Sequence, residues 1–115
     1  MKSTILYYGT SLDYSEQIDK VGIISKDKIC LTTDITTAYE NAIKTIYSPN
    51  SSCLQPVICT INVTDMIKDG FIFEHNSSYT EYYVSSIPSK YINQVAVETE
   101  EDLMLLARYE QQSCC

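Results

Sequence analysis

"KICLTTDITTAYENAIKTIY", Lys28 to Tyr47, changes its period halfway along. The first part, through Asp34, is a short β-branched and apolar run that reads as a strand of five or six residues. From Ile35 the apolar residues Ile35, Ala38, Tyr39, Ala42, Ile43, Ile46 and Tyr47 fall at the i, i+3, i+4, i+7 spacing of one buried helix face. Asp34 stands where an N-cap is needed, and Ser48-Pro49-Asn50 stops the pattern. A strand that feeds directly into an amphipathic helix needs a sheet for the first and a covering layer for the second, which predicts an α+β domain.

The flanking sequence agrees. Upstream, "TILYYGTS" reads as a short strand broken at Gly9, and "SLDYSEQIDKVG" as a short helix capped by Ser11 or Asp13 and ended by Gly22. Downstream, the polar loop "SPNSSCLQ" leads into "PVICTINV", a β-branched run between Pro56 and Thr64-Asp65 that reads as a central strand. Then come a capped turn, "TDMIKDG", a short strand, "FIFEH", a turn, "NSS", a strand, "EYYVSS", and an extended run, "YINQVAV". "TEEDLMLLARYEQQ" has Thr99 as N-cap, acids in its first turn, and Leu103, Leu106 and Ala107 on one face, which predicts a closing helix. The elements lack a regular β-α-β rhythm, and three glycines are too few for a phosphate-binding glycine pattern, so a doubly wound nucleotide fold does not fit. The 115 residues suffice for a single domain spanning 1–115, with a mobile tail expected from about residue 111.

Charge and cysteine usage narrow the function. Eight Lys and Arg against fifteen Asp and Glu give a net charge of −7, which repels an extended phosphate backbone and disfavours nucleic-acid binding. The basic residues are scattered along the chain, yet one local spot can still hold a small anionic ligand such as a dinucleotide. Five cysteines, at 30, 53, 59, 114 and 115, form an odd set without a C-x-x-C pair, so neither a disulfide framework nor a zinc site is indicated. Reduced thiols, the absence of an apolar leader and the absence of a membrane-length apolar stretch predict a cytoplasmic protein with no membrane partner. Ten tyrosines against two phenylalanines suit half-buried walls that meet a polar ligand.

A second stretch poses the functional question. "SYTEYYVSSIP", Ser78 to Pro88, places Glu81 at the head of an aromatic strand, flanked by Tyr79, Tyr82 and Tyr83, where a carboxylate risks desolvation. The other nearby acid, Glu74, stands beside the single histidine, His75, before a turn, and that pair reads as surface.

Three stretches, taken in order, resemble the ADP-ribosyltransferase superfamily. "LYYGTS" is similar to its first strand, "ICLTTDITTAYENA" to its second strand and following helix, and "TEYYVSSIPSKYI" to its catalytic-glutamate strand and the corner after it; the likeness spans roughly Ile5 to Val97. The resemblance implies split mixed β-sheets forming a cleft, short flanking helices, NAD as co-substrate, and transfer of a single ADP-ribose to a macromolecular acceptor, in all expectation a protein. It implies that Glu81 is catalytic, stabilising an oxocarbenium-like ribosyl cation as the bond to nicotinamide breaks. Gly9 would clamp the nicotinamide carboxamide through its backbone, Thr10 would add a hydroxyl, Thr32 with Thr33 would brace the cleft, and Tyr39 would wall the nicotinamide or lie in the core. Tyr8 stands where relatives carry His or Arg, and Tyr79 where many place Gln or Glu to select the acceptor. The resemblance is to small toxin, phage and bacterial effector enzymes. Two alternatives share the fold: a non-catalytic module that binds a nucleotide or a protein, and an RNA 2′-phosphotransferase-like enzyme, which needs a basic phosphate site.

Overall fold

The structure, a computed structural model, describes residues 5–49, 55–97, 99 and 101–106. In chain order it runs β1 (Ile5–Ser11), a 3-10 turn (Leu12–Tyr14), α1 (Ser15–Val21), β2 (Ile23–Thr32), α2 (Ile35–Ile46), β3 (Pro56–Asn62) and α3 (Val63–Lys68). It continues through β4 (Glu74–His75), β5 (Glu81–Ile87), a second 3-10 turn (Ser89–Tyr91), β6 (Ile92–Ala96) and a helix, α4, over 101–106. The strands form one six-stranded sheet in the order β4-β5-β2-β1-β3-β6.

The α+β class stands, with short helices flanking the sheet. Two features of the expected sheets change. All five ladders are antiparallel, where mixed pairing was expected. Short turns and single-helix returns bring each strand back beside its neighbour in the opposite sense. The expected pair of sheets is also joined, but through a single register pair, Tyr7↔Thr32, whereas β1 pairs with β3 along its whole length. A large bulge accompanies this separation: between Ile24↔Ser86 and Ile29↔Val84, β2 advances five residues while β5 advances two. A bulge bends and twists the strand that carries it, which turns β2 away from β1.

One sheet face buries the main core, with Leu6, Leu31, Ile61, Tyr82, Val84 and Ile87 packed against Ile18 of α1 and Met66 of α3. The opposite face carries α2, whose Ala38 and Ala42 pack on Ile58 with Val97 and Leu103 of α4. Gly9 permits that contact, because a Cβ there would stand 1.8 Å from the Ala38 carbonyl oxygen. Gly9 therefore does not break the strand; it lets the helix backbone seat on β1.

Several local details differ from the sequence reading for physical reasons. α1 begins at Ser15, after the 3-10 turn, without a side-chain cap from Ser11 or Asp13, whose side chains bond each other at 3.3 Å. Gly22 ends α1 as expected, at φ +81°, against the Ile87 carbonyl. Asp34 caps α2 by accepting from the Thr36 amide at 3.0 Å, but Tyr47 is 74% exposed and lies off the buried face. Asn62 caps α3 by accepting from the Asp65 amide at 3.1 Å. Of "FIFEH" only Glu74–His75 pair as strand, while Phe71 and Phe73 anchor the segment in the core. Thr99 and Asp102 cap α4 reciprocally, each side chain accepting from the other's amide at 3.2 Å. Ala107 and the expected mobile tail lie outside the described residues.

Candidate functional site

Strand alternation decides which side chains share a face, because opposed residues in a ladder point the same way and i, i+2 neighbours follow them. Glu81 opposes Thr32, and Thr32 opposes Tyr7, so the three form one row across β5, β2 and β1. A second row on the same face runs from Glu74 through Tyr83 to Cys30. This is the face on which α2 sits, but α2 packs on β1 and β3. Over β2 and β5 the face is open: Lys28, Cys30 and Ser85 are exposed, and Glu81 and Tyr83 are half-buried. The opposite sides of the same strands, Leu31, Tyr82 and Val84, are buried.

Glu81 is fixed at the head of β5 by the turn before it. The Asn76 side-chain oxygen accepts from the amides of Thr80 at 3.0 Å and Glu81 at 3.3 Å, and the Asn76 amide donates to the Glu81 carbonyl at 3.1 Å. The Thr33 amide donates to the Thr80 carbonyl at 3.0 Å, which ties this turn to the end of β2. The Tyr83 hydroxyl donates to the Glu81 carboxylate at 2.8 Å. That bond, followed by burial and the carboxylate charge, raises the Tyr83 phenol above its ordinary range. Partial burial and then the Glu81 charge do the same to the Cys30 thiol. Tyr79, the expected acceptor-selecting position, adopts φ +58°, faces solvent and stacks on His75 at 4.1 Å between ring centroids.

The remaining predicted residues divide. Thr32 is 6% exposed, and its hydroxyl accepts from the Asp34 amide at 3.1 Å, so it braces the β2-to-α2 corner. Gly9 shares the Glu81 face two strands away, about 10 Å across the sheet by ordinary strand spacing. Its Cβ side is filled by α2, which leaves its backbone edge toward β2 as the part that faces the separation between the strands. Tyr8 and Thr10 alternate with Gly9 and so point to the other face. Burial there, with smaller contributions from Cys59 and Tyr14, raises the Tyr8 phenol, and Thr10 is buried. Both line a depression of about 350 Å³ with Tyr14 and Gln17, and Tyr8 also borders, beside Gly9, a second cavity of about 400 Å³. Tyr39 packs against the Ala38–Ala42 cluster, the core alternative for that residue.

Four side chains at the open face escaped the sequence reading. Tyr83 carried a signal, since i, i+2 spacing on a strand puts it beside Glu81. Cys30 is opposite it, which only the strand register reveals. Lys28, ion-paired with Glu74, and Lys44 of α2 line a cavity of about 400 Å³ together with Gly9 and Cys30. Among the described residues no group of His, Cys, Asp and Glu side chains is arranged to hold a metal ion, and no helix is long and apolar enough to cross a membrane. In comparison with known proteins, the chain matches no family model and no curated protein.

Proposed function

We propose that the protein is a mono-ADP-ribosyltransferase that uses NAD as co-substrate and modifies a protein acceptor. The observation that carries this reading is the placement of Glu81: a carboxylate held at the head of a strand, on the open face of the sheet, with the Tyr83 hydroxyl as its side-chain partner. The single register pair between β1 and β2 suits the split-sheet architecture of the superfamily that the three motifs resemble. In the reaction the bond from ribose C1′ to nicotinamide breaks, its electron pair returns to the ring nitrogen, and the acceptor forms the new bond to C1′ as it loses a proton. Glu81 stabilises the ribosyl cation between those events, and the Tyr83 hydroxyl beside it on the same face orients the carboxylate.

Glu81→Gln tests the proposal. Nicotinamide release from NAD is expected in the wild-type protein and falls by about 10²–10³-fold in the variant, with the melting temperature unchanged. Full activity in Glu81→Gln, or no nicotinamide release by wild type, overturns it. One observation favours a second reading, a binding module without catalysis: Tyr8, at the nucleotide-contacting position of the resemblance, turns its side chain to the face opposite Glu81. NAD binding without turnover distinguishes that reading.

A further inference from the structure

The cavity of about 400 Å³ beside the β1–β2 separation has a polar wall of its own on α2. Asn41, Lys44 and Thr45 lie at i, i+3 and i+4 and so share one helix face. Facing them is Lys28, displayed at the end of the β2 bulge, with Ser25 at the start of that bulge. Two lysines thus line one depression in a chain of net charge −7, where most of the surface repels anions. Lys28 is paired with Glu74, but Lys44 has no carboxylate partner among the described residues. Both lysines are exposed, so neither charge is held in place by the core.

An anion in this cavity gains a charge-assisted contact with Lys44 and competes with Glu74 for Lys28. Asn41 and Ser25 add neutral donors, and the Gly9 backbone edge borders the same space. We infer that the cavity between α2 and the β2 bulge binds the diphosphate of a dinucleotide, with Lys44 as the main anchor and Lys28, shared with Glu74, as the second. The identity of the ligand rests on the transferase reading; the anion class rests on the two lysines.

The test is calorimetric titration of ADP-ribose and of inorganic diphosphate into wild type, Lys44→Gln, Lys28→Gln and Glu74→Gln, with nicotinamide riboside as the ligand lacking phosphate. Both diphosphate probes should bind wild type, and Lys44→Gln should weaken them by about tenfold or more, since a contact to a charged group is lost. Lys28→Gln should weaken them less, and Glu74→Gln should strengthen them by releasing Lys28. Nicotinamide riboside should be indifferent to all three substitutions. Melting curves confirm that these surface variants remain folded. Equal affinity in wild type and Lys44→Gln, or no diphosphate binding by wild type, overturns the inference. Wild type that binds ADP-ribose through Lys44 yet releases no nicotinamide from NAD removes the transferase reading and leaves the anion site. NAD turnover with the same KM in wild type and Lys44→Gln does the reverse.

Discussion

The two halves of the sheet are built to different ends. The β1-β3-β6 half is covered on both sides, by α2 with α4 on one face and by the main core on the other. The β4-β5-β2 half buries Leu31, Tyr82 and Val84 on one face and leaves Lys28, Cys30, Glu81 and Tyr83 on the other without a covering helix among the described residues. One half is therefore covered on both faces and the other presents polar side chains on one, and the seam between them is the single pair Tyr7↔Thr32. A site gains precision when its groups stand on strands braced from behind, and the buried face of the open half provides that brace.

The two halves each carry a described cysteine, which gives the largest expected contrast. Cys59 on β3 is fully buried, and burial, with a smaller contribution from Asp19, pushes its thiol up to about 12, while Cys30 on β2 is exposed. Site-resolved alkylation at neutral pH should label Cys30 faster than Cys59 by at least about a thousandfold, because Cys59 reacts only through unfolding. Similar rates would show that the covered half is not closed. The same shift sets a pH dependence. The folded Cys59 pKa lies above its ordinary value, so the protonated thiol's contribution is fully present below pH 9.0 and is lost as pH rises toward about 12. Melting temperature should fall over that window, and Cys59→Ala should flatten the fall.

Gly9→Ala attacks the covered half directly. Its new Cβ would meet the Ala38 carbonyl and the Ala42 amide nitrogen, both backbone atoms that cannot move without shifting α2. A loss of about 3 kcal/mol or more is expected in urea unfolding, at the upper end for overpacking; a loss below about 1 kcal/mol would mean that α2 does not seat on β1 as described. Asn76→Ala acts on the open half instead. It removes the acceptor for two backbone amides at the turn before Glu81, with an expected cost of about 1–2 kcal/mol. NAD turnover should fall further than this stability loss explains, because Glu81 loses its fixed position.

The sequence displays most of the covered half and little of the seam. The helix from Asp34 and the β-branched run of β3 are visible because burial imposes a period on their residues. Thr99 and Asp102 are legible as a cap for the same local reason. The β2 bulge is not, since Ser25, Lys26 and Asp27 precede the strand read from Lys28 and only pairing with β5 shows them inside β2. Nor does spacing along the chain show that Lys28 and Lys44 meet, which depends on how β2 and α2 diverge. The opposite orientations of Tyr8 and Gly9 were within reach, because adjacent residues on a strand always point apart. Gly9 itself looks like a ligand glycine or a turn, and its packing against α2 emerges only from the crossing of the helix over β1.

The central claim is that the open face of β2 and β5, with Glu81 at its edge, is where NAD is held. A crystal structure of the Glu81→Gln protein soaked with NAD tests it most directly, since the substitution slows turnover and preserves shape. The account predicts the nicotinamide ribose beside residue 81 on the Tyr83 and Cys30 face, between β5 and the backbone edge of Gly9. NAD bound instead in the depression lined by Tyr14, Gln17 and Ile18, away from residue 81, would contradict it.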